Sequence, residues 1–151
     1  MNETNEMKEL KLRRAIDQTV GTLVEQAEKL IIDCRNKIKD IEANQIRNVM
    51  AVANSAPHSA VVTNFIHYQM GRSGKPSKAW KDTKLGEAVL AVIDGQVQRL
   101  AEQVVNGSGH GNIEDVQVEM IRLLLGFMYR RYVYEAREQQ SSNRQPKEAR
   151  P

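Results

Sequence analysis

Apolar residues recur every three or four positions along most of this chain, the spacing that places them on one face of an α-helix. The pattern predicts about five helices. The first is a long amphipathic helix over residues 10–41, with charged residues between its apolar positions and a bend expected at Gly21. A coiled-coil seam is the alternative interpretation, but this stretch only just reaches the minimum of about four heptads, so a helix of a bundle is favoured.

Two shorter helices are predicted between residues 44 and 71. Asn44 is a suitable N-cap for the second helix, which ends at the Pro57 boundary, because the residue before proline avoids the helical region. The third helix begins at Pro57 and stops at Gly71. Tyr68 and Arg72 are four residues apart, so we expect them on one face at the end of this helix.

The last two predicted helices flank a glycine-rich linker. Asp82 or Thr83 is expected to cap the fourth helix, which stops at Asn106. Asn112 is expected to cap the fifth, which begins at residue 113 and is the most apolar of all. Such a helix is either the central element of a bundle or an oligomer interface.

The composition agrees with a single all-α domain. Aromatic residues make up 5% of the 151 residues and there are four prolines, which favours helix over sheet. We expect one helical bundle over residues 1–138 and a disordered tail over 139–151, where the apolar period is lost. Cys34, the single cysteine, lies at helical spacing among apolar residues and is expected to be a core residue. No apolar run reaches membrane-spanning length, so we expect a cytoplasmic protein without a membrane partner.

Positive charge is concentrated in residues 71–86, which we call the basic segment. It has a net charge of +4, whereas the whole chain has +3. The segment is rich in Gly, Ser and Pro, and we expect a flexible connection that presents its cations to phosphates and Trp80 to bases. A solvated loop without a ligand is the alternative. Its cations are Arg72, Lys75, Lys78, Lys81 and Lys84.

Three further arginines are candidates for nucleic-acid contacts. Arg47 lies in the first turn of a predicted helix, where the helix dipole disfavours a cation, so we expect it to have a carboxylate or phosphate partner. Arg130 and Arg131 lie among tyrosines near the end of the fifth helix. Arginine with aromatic residues can stack on bases, although cations also suit a helix C-terminus.

The sequence has no pattern typical of an enzyme or a metal site. GRSGKPS, at residues 71–77, has two residues between its glycines where a P-loop has four, and no strand is predicted before it. His58, His67 and His110 have no His or Cys partner at ligand spacing. No carboxylate pair lies on an apolar face, where a raised pKa would indicate acid or base catalysis. We therefore expect neither catalysis nor a cofactor.

In order along the chain, three motifs resemble the small subunit of type III-A CRISPR effector complexes, the all-helical Csm small subunit family. The first is the helix opening Asn44-Gln45-Ile46-Arg47. The second is the helix end formed by Tyr68 with Gly71-Arg72. The third is the closing helix, EMIRLLLGFMYRRYVYE. The resemblance spans roughly residues 44–136; His67 stands where that family often has a small residue.

This resemblance implies a non-catalytic subunit of an antiviral ribonucleoprotein. Such a subunit contacts crRNA and target RNA, other subunits of the complex and further copies of itself. By position, Arg47, Arg72 and the lysines of the basic segment are then the RNA-facing candidates, and Tyr68 is a further RNA-binding candidate beside Arg72.

Two other classes of protein are compatible with a basic helical bundle. A helical DNA-binding regulator requires a short turn and several polar side chains on an exposed recognition helix. A self-associating adaptor would use the apolar fifth helix, and its basic segment would be dispensable. The position of the cations on a connection favours the RNA-binding interpretation.

Overall fold

The computed structural model describes residues 3–143, and in this range the chain forms helices and no strand. The all-α prediction is confirmed for this part of the chain. The α-helices are α1 (Asn5–Asp17), α2 (Val20–Asp33), α3 (Ala43–Ser55), α4 (Ser59–Gly71), α5 (Lys75–Ser77), α6 (Leu85–Val92), α7 (Gln98–Ser108) and α8 (Ile113–Asn143). A 3-10 helix (Arg35–Asp40) follows α2, and π-helical turns follow α5 (Lys78–Asp82) and α6 (Ile93–Val97).

The prediction of one long N-terminal helix is wrong, because the chain breaks between α1 and α2. The break lies at Gln18 and Thr19, just before Gly21. The Thr19 hydroxyl donates to the carbonyl oxygen of Ile16 at 2.6 Å, a local bond that competes with the helical pattern. A second break comes at Cys34, after which the chain continues as the 3-10 helix.

Helix α8 is the centre of the bundle. It packs against α2, α3 and α7, and its middle is buried, with Met120, Ile121, Leu124 and Leu125 at 0% exposure. Its apolar character is therefore explained by the protein's own core. Asn112 caps its start as predicted, since the side-chain oxygen accepts from the backbone N–H of Glu114 at 2.8 Å.

Helix α3 begins at Ala43 with Glu42 at the N-cap, two residues before the predicted Asn44 cap. Its carboxyl end is bonded to α8. Arg122 Nε donates to the carbonyl oxygen of Ala53 at 2.7 Å, and Arg122 Nη2 to that of Ala56 at 3.4 Å. The Ala53 carbonyl also accepts from the backbone N–H of Ala56 at 3.4 Å, so Arg122 adds a second donor there and supplies one to the C-cap carbonyl of Ala56. The two bonds from Arg122 fix α3 on the central helix.

Helix α8 continues past the predicted domain boundary at Glu138. It ends at Asn143, so the expectation of disorder is wrong for residues 139–143. Gln139 and Asn143 line a cavity of about 220 Å³ together with Ile38 and Ile41, which places the last turns of α8 beside the 3-10 helix. Residues 144–151 of the predicted tail lie outside the described residues.

Between residues 3 and 143, the chain contains no helix that is long and apolar enough to cross a membrane.

Candidate nucleic-acid interface

The basic segment is helical for most of its length, so the prediction of a flexible connection is wrong. Gly74 has φ +80° and stands at the N-cap of α5, with Pro76 in the first turn, where proline is well tolerated. The π-helical turn follows directly, and Thr83 ends it by donating to the carbonyl oxygen of Ala79. The cations are therefore held on an ordered backbone.

Trp80 is fully buried, at 0% exposure, and is not available to stack on bases. It lies on the inner side of the π-helical turn with Ala79, and this turn packs against α4 and α6. Gly86 permits the close approach, since a Cβ there would lie 2.7 Å from Met70 Sδ. Trp80 thus fixes the basic segment on the bundle, which corrects its predicted role as an RNA-binding residue.

Two lysines of the basic segment are paired with carboxylates at the end of the 3-10 helix and just after it. Lys75 Nζ lies 3.1 Å from Glu42 Oε1, and Lys78 Nζ lies 3.4 Å from Asp40 Oδ1. All four side chains are substantially exposed, so these pairs contribute little to stability. Their consequence is electrostatic, because each carboxylate lowers the positive potential beside its lysine.

Lys81 and Lys84 are exposed and form no ion pair with any residue in the described range. Lys84 has φ +66°, an unusual conformation for a residue other than glycine, and immediately precedes α6. With Arg72, these lysines are the uncompensated cations of the basic segment.

The 3-10 helix adds cations to the site that were not predicted from the sequence. Lys37 Nζ donates to the backbone carbonyl of Asp82 at 3.2 Å, which leaves its charge uncompensated. Arg35 and Lys39 lie on the same short helix and are exposed. Residues 35–42 and 71–86 together contain eight basic and three acidic residues, a net charge of +5. The contact joins two segments distant in sequence into one basic surface.

Arg47 is exposed and lies one and a half turns after Glu42, beside this surface. Its Nη2 donates to Asn44 Oδ1 at 2.7 Å. The expected carboxylate partner is therefore absent from the described residues, and a neutral amide orients the guanidinium without cancelling its charge.

Tyr68 and Arg72 lie together at the end of α4, as predicted. The Arg72 guanidinium carbon is 5.2 Å from the centre of the Tyr68 ring, and Arg72 Nη1 donates to Gln69 Oε1 at 3.1 Å. Tyr68 is 56% exposed. It offers the flat surface near the basic segment that had been expected from Trp80.

Arg130 and Arg131 are not part of this surface. Arg131 is paired with two carboxylates, Glu28 and Glu135, the latter at 2.8 Å. These hydrogen bonds, first of all the one with Glu135, raise the pKa of Arg131. Arg130 is exposed, with its guanidinium carbon 5.7 Å from the Phe127 ring centre. The two arginines lie beside α2, at a separate cleft.

The histidines have local roles in the structure. His58 Nδ1 accepts from the backbone N–H of Ala60 at the start of α4, while His58 Nε2 pairs with Glu114. His110 Nε2 lies 2.7 Å from Glu3 Oε2. In residues 3–143 there is no group of three or more His, Cys, Asp or Glu side chains placed to hold a metal ion.

No protein-family model matches the chain, and neither a curated protein nor a solved structure matches it.

Proposed function

We propose that this chain is a non-catalytic, RNA-binding structural subunit of a cytoplasmic ribonucleoprotein, of the type III-A CRISPR effector class. The observation that supports RNA binding best is the basic surface formed by the basic segment and the 3-10 helix. It concentrates a charge of +5 in a chain whose total is +3. Such a surface attracts phosphates without reading base sequence.

The effector-complex class is supported by the positions of the three family-like motifs. Arg47 lies in the first turns of α3, Tyr68 with Arg72 ends α4, and the closing motif lies within α8. Arg47 is exposed, and Arg72 is an exposed residue of the basic segment itself. In this proposal crRNA and target RNA bind along the basic surface. Other faces of the bundle contact neighbouring subunits and further copies of the chain.

A DNA-binding regulator is less well supported. Residues 56–58 do form a short turn between α3 and α4, as a helix-turn-helix requires. However, Ser59–Gly71 contains no lysine or arginine, so α4 has no cations to make the phosphate or guanine contacts of a recognition helix.

An adaptor that self-associates through the middle of α8 is also less well supported. That part of the helix is buried within the bundle, and among the described residues the exposed large apolar side chains of α8 are Val133 and Tyr134. This is too little apolar surface for the core of a stable dimer interface.

The test is a salt series of fluorescence anisotropy titrations with a labelled single-stranded RNA and with an assembled guide–target duplex. Changing Lys75, Lys78, Lys81 and Lys84 together to Ala should make the slope of log K against log salt shallower by roughly two to three units, at about 0.7 per phosphate contact. The helical circular dichroism signal should not change. Unchanged affinity and slope with both RNAs would exclude the basic segment from RNA binding.

Two double variants sharpen this test. Lys81→Ala with Lys84→Ala should weaken binding more than Lys75→Ala with Lys78→Ala, because the second pair is already partly neutralised by Glu42 and Asp40. A matched control on α1 and α2, Lys8→Ala with Lys29→Ala, removes the same charge and should have the smallest effect.

The class of complex is tested by purifying the tagged chain from cells that carry its neighbouring genes. The proposal predicts co-purification with a large polymerase-like subunit and with short guide RNAs. Recovery of the chain free of RNA and of other subunits would contradict membership of such a complex.

A further inference from the structure

A second candidate ligand site is an open cleft of about 460 Å³ between α2 and α8, which we call the aromatic cleft. The residues that line it are Val24, Glu28, Phe127, Arg130, Arg131 and Tyr134. Its walls combine aromatic rings with guanidinium groups.

Two arginine side chains of the aromatic cleft each lie over an aromatic ring. The guanidinium carbon of Arg131 lies 5.2 Å from the centre of the Tyr134 ring, and that of Arg130 lies 5.7 Å from the centre of the Phe127 ring. Tyr134 is 55% exposed, so much of its ring remains uncovered. Such rings and planes stack well on other planar groups.

One cation of the cleft, Arg130, has no carboxylate partner of its own among the described residues. Arg131 is held over Tyr134 by two carboxylates, Glu28 and Glu135, and with Arg130 the four charges sum to zero. Arg130 forms no ion pair with any residue between 3 and 143 and is exposed. The best-fitting occupant therefore has a flat apolar ring next to a single negative charge.

We propose that the aromatic cleft binds an unpaired base of single-stranded RNA, with the base stacked on Tyr134 and its phosphate on Arg130. This inference rests on the proposed RNA-binding function and adds a second contact to it. A helix from a second copy fits less well, because Tyr134 and Val133 are the exposed large apolar side chains that α8 offers within the described range.

The aromatic cleft and the basic surface lie on different sides of α8. The Tyr132 hydroxyl donates to the carbonyl oxygen of Ile41 at 2.7 Å, and Ile41 lies between the carboxylates that pair with the basic segment. Arg130 and Tyr134 are each two residues from Tyr132, which places them roughly 160° to 200° away around the helix. A short RNA can thus occupy the cleft without touching the basic segment.

The experiment uses a tetranucleotide RNA that contains 2-aminopurine, whose fluorescence falls when the base stacks. Wild-type protein should quench this fluorescence. Tyr134→Ala should remove the quenching and weaken binding about 5- to 150-fold, the range expected for one base stacked on an aromatic ring. Arg130→Gln should keep the quenching but make the salt slope shallower by about 0.7, because one phosphate contact is lost.

Two controls separate stacking from general damage. Val133→Ala, a neighbouring change at a side chain that is 47% exposed, should behave like the wild type. A tetranucleotide with an abasic residue in place of 2-aminopurine should bind the wild type and Tyr134→Ala equally, because this RNA lacks the base that stacks on Tyr134.

Failure of this inference is distinguishable from failure of the proposed function. If the tetranucleotide is not quenched, or is quenched equally by Tyr134→Ala, while longer RNA still responds to the four-lysine variant, the cleft proposal alone is overturned. If quenching depends on Tyr134 but the four-lysine variant binds longer RNA normally, only the basic segment is excluded. A concentration-dependent dimer that Tyr134→Ala dissociates would assign the cleft to a second copy and overturn the proposal.

Discussion

Replacing Trp80 tests whether this residue fixes the basic segment to the bundle. Truncating a fully buried Trp to Ala removes its packing and leaves a cavity, at a typical cost of about 3–5 kcal/mol. That is a large share of the roughly 5–15 kcal/mol by which a domain is stable. We therefore expect Trp80→Ala to unfold at a much lower urea concentration.

Trp80→Phe should cost much less. The indole Nε1 of Trp80 is buried without a hydrogen-bond partner among the described residues, an arrangement that costs about 1–3 kcal/mol. Phenylalanine removes this unpaired donor while keeping most of the ring. The lost volume and the removed penalty offset each other in part, so we expect a net loss below about 2 kcal/mol.

The assay is urea unfolding followed by the helical circular dichroism signal, which does not depend on the tryptophan. In the wild type, emission from the chain's single tryptophan should be protected from acrylamide and should not change when RNA is added. A loss of less than about 1 kcal/mol in Trp80→Ala would show that Trp80 does not fix the basic segment to the bundle. Quenching of the wild-type emission by RNA would show that Trp80 faces the ligand.

Three further perturbations probe the site, the packing and the core. Changing Asp40 to Asn together with Glu42 to Gln should tighten RNA binding about fivefold in anisotropy titrations, since it removes the carboxylates that neutralise two lysines. Gly86→Ala should lower the free energy of unfolding by about 1–3 kcal/mol in urea, because the new Cβ would lie 2.8 Å from a backbone oxygen. Burial raises the pKa of the Cys34 thiol to about 11 from 9.0. The neutral thiol is thus favoured in the folded state, and its contribution to stability should fall as pH rises through this interval.

Each of these three has a result that would contradict it or a comparison variant. Binding weakened by the double change at Asp40 and Glu42 would contradict the electrostatic argument. Gly21→Ala, where a Cβ meets nothing within 4 Å, should instead stabilise the helix by about 0.5–1 kcal/mol. The loss of stability between pH 9 and 11 should be smaller in Cys34→Ala, and an identical pH profile in both proteins would show that the thiol is not its source.

The sequence predicted helices best where a local signal marks their ends. Asn112 caps α8 as expected, and Gly71 ends α4. Between α1 and α2 the local signal was Gly21, which indicated a bend but not a break, because Ile16, Thr19 and Leu23 are all buried at a spacing of three or four residues. The period of buried positions therefore passes through the break unchanged.

The site was less predictable because its geometry depends on distant contacts. A local concentration of lysines does not reveal which side of the segment faces the core. Trp80, which lies among these lysines and is buried, was therefore expected to be exposed. Lys75, Lys78, Lys81 and Lys84 recur every three residues, a pattern that could have indicated one helical face. The contribution of Lys37 depends on a contact with Asp82, 45 positions away, which no local pattern contains.

Photo-cross-linking with a single-stranded RNA that contains 4-thiouridine tests the central claim most directly. The cross-linked peptides are identified by mass spectrometry at low and at high salt. Our account predicts cross-links in residues 68–84 and at Lys37, all of which decline as salt rises because phosphate contacts hold the RNA. Cross-links found only elsewhere on the bundle, with none in these residues, would contradict an RNA-binding role for the basic surface.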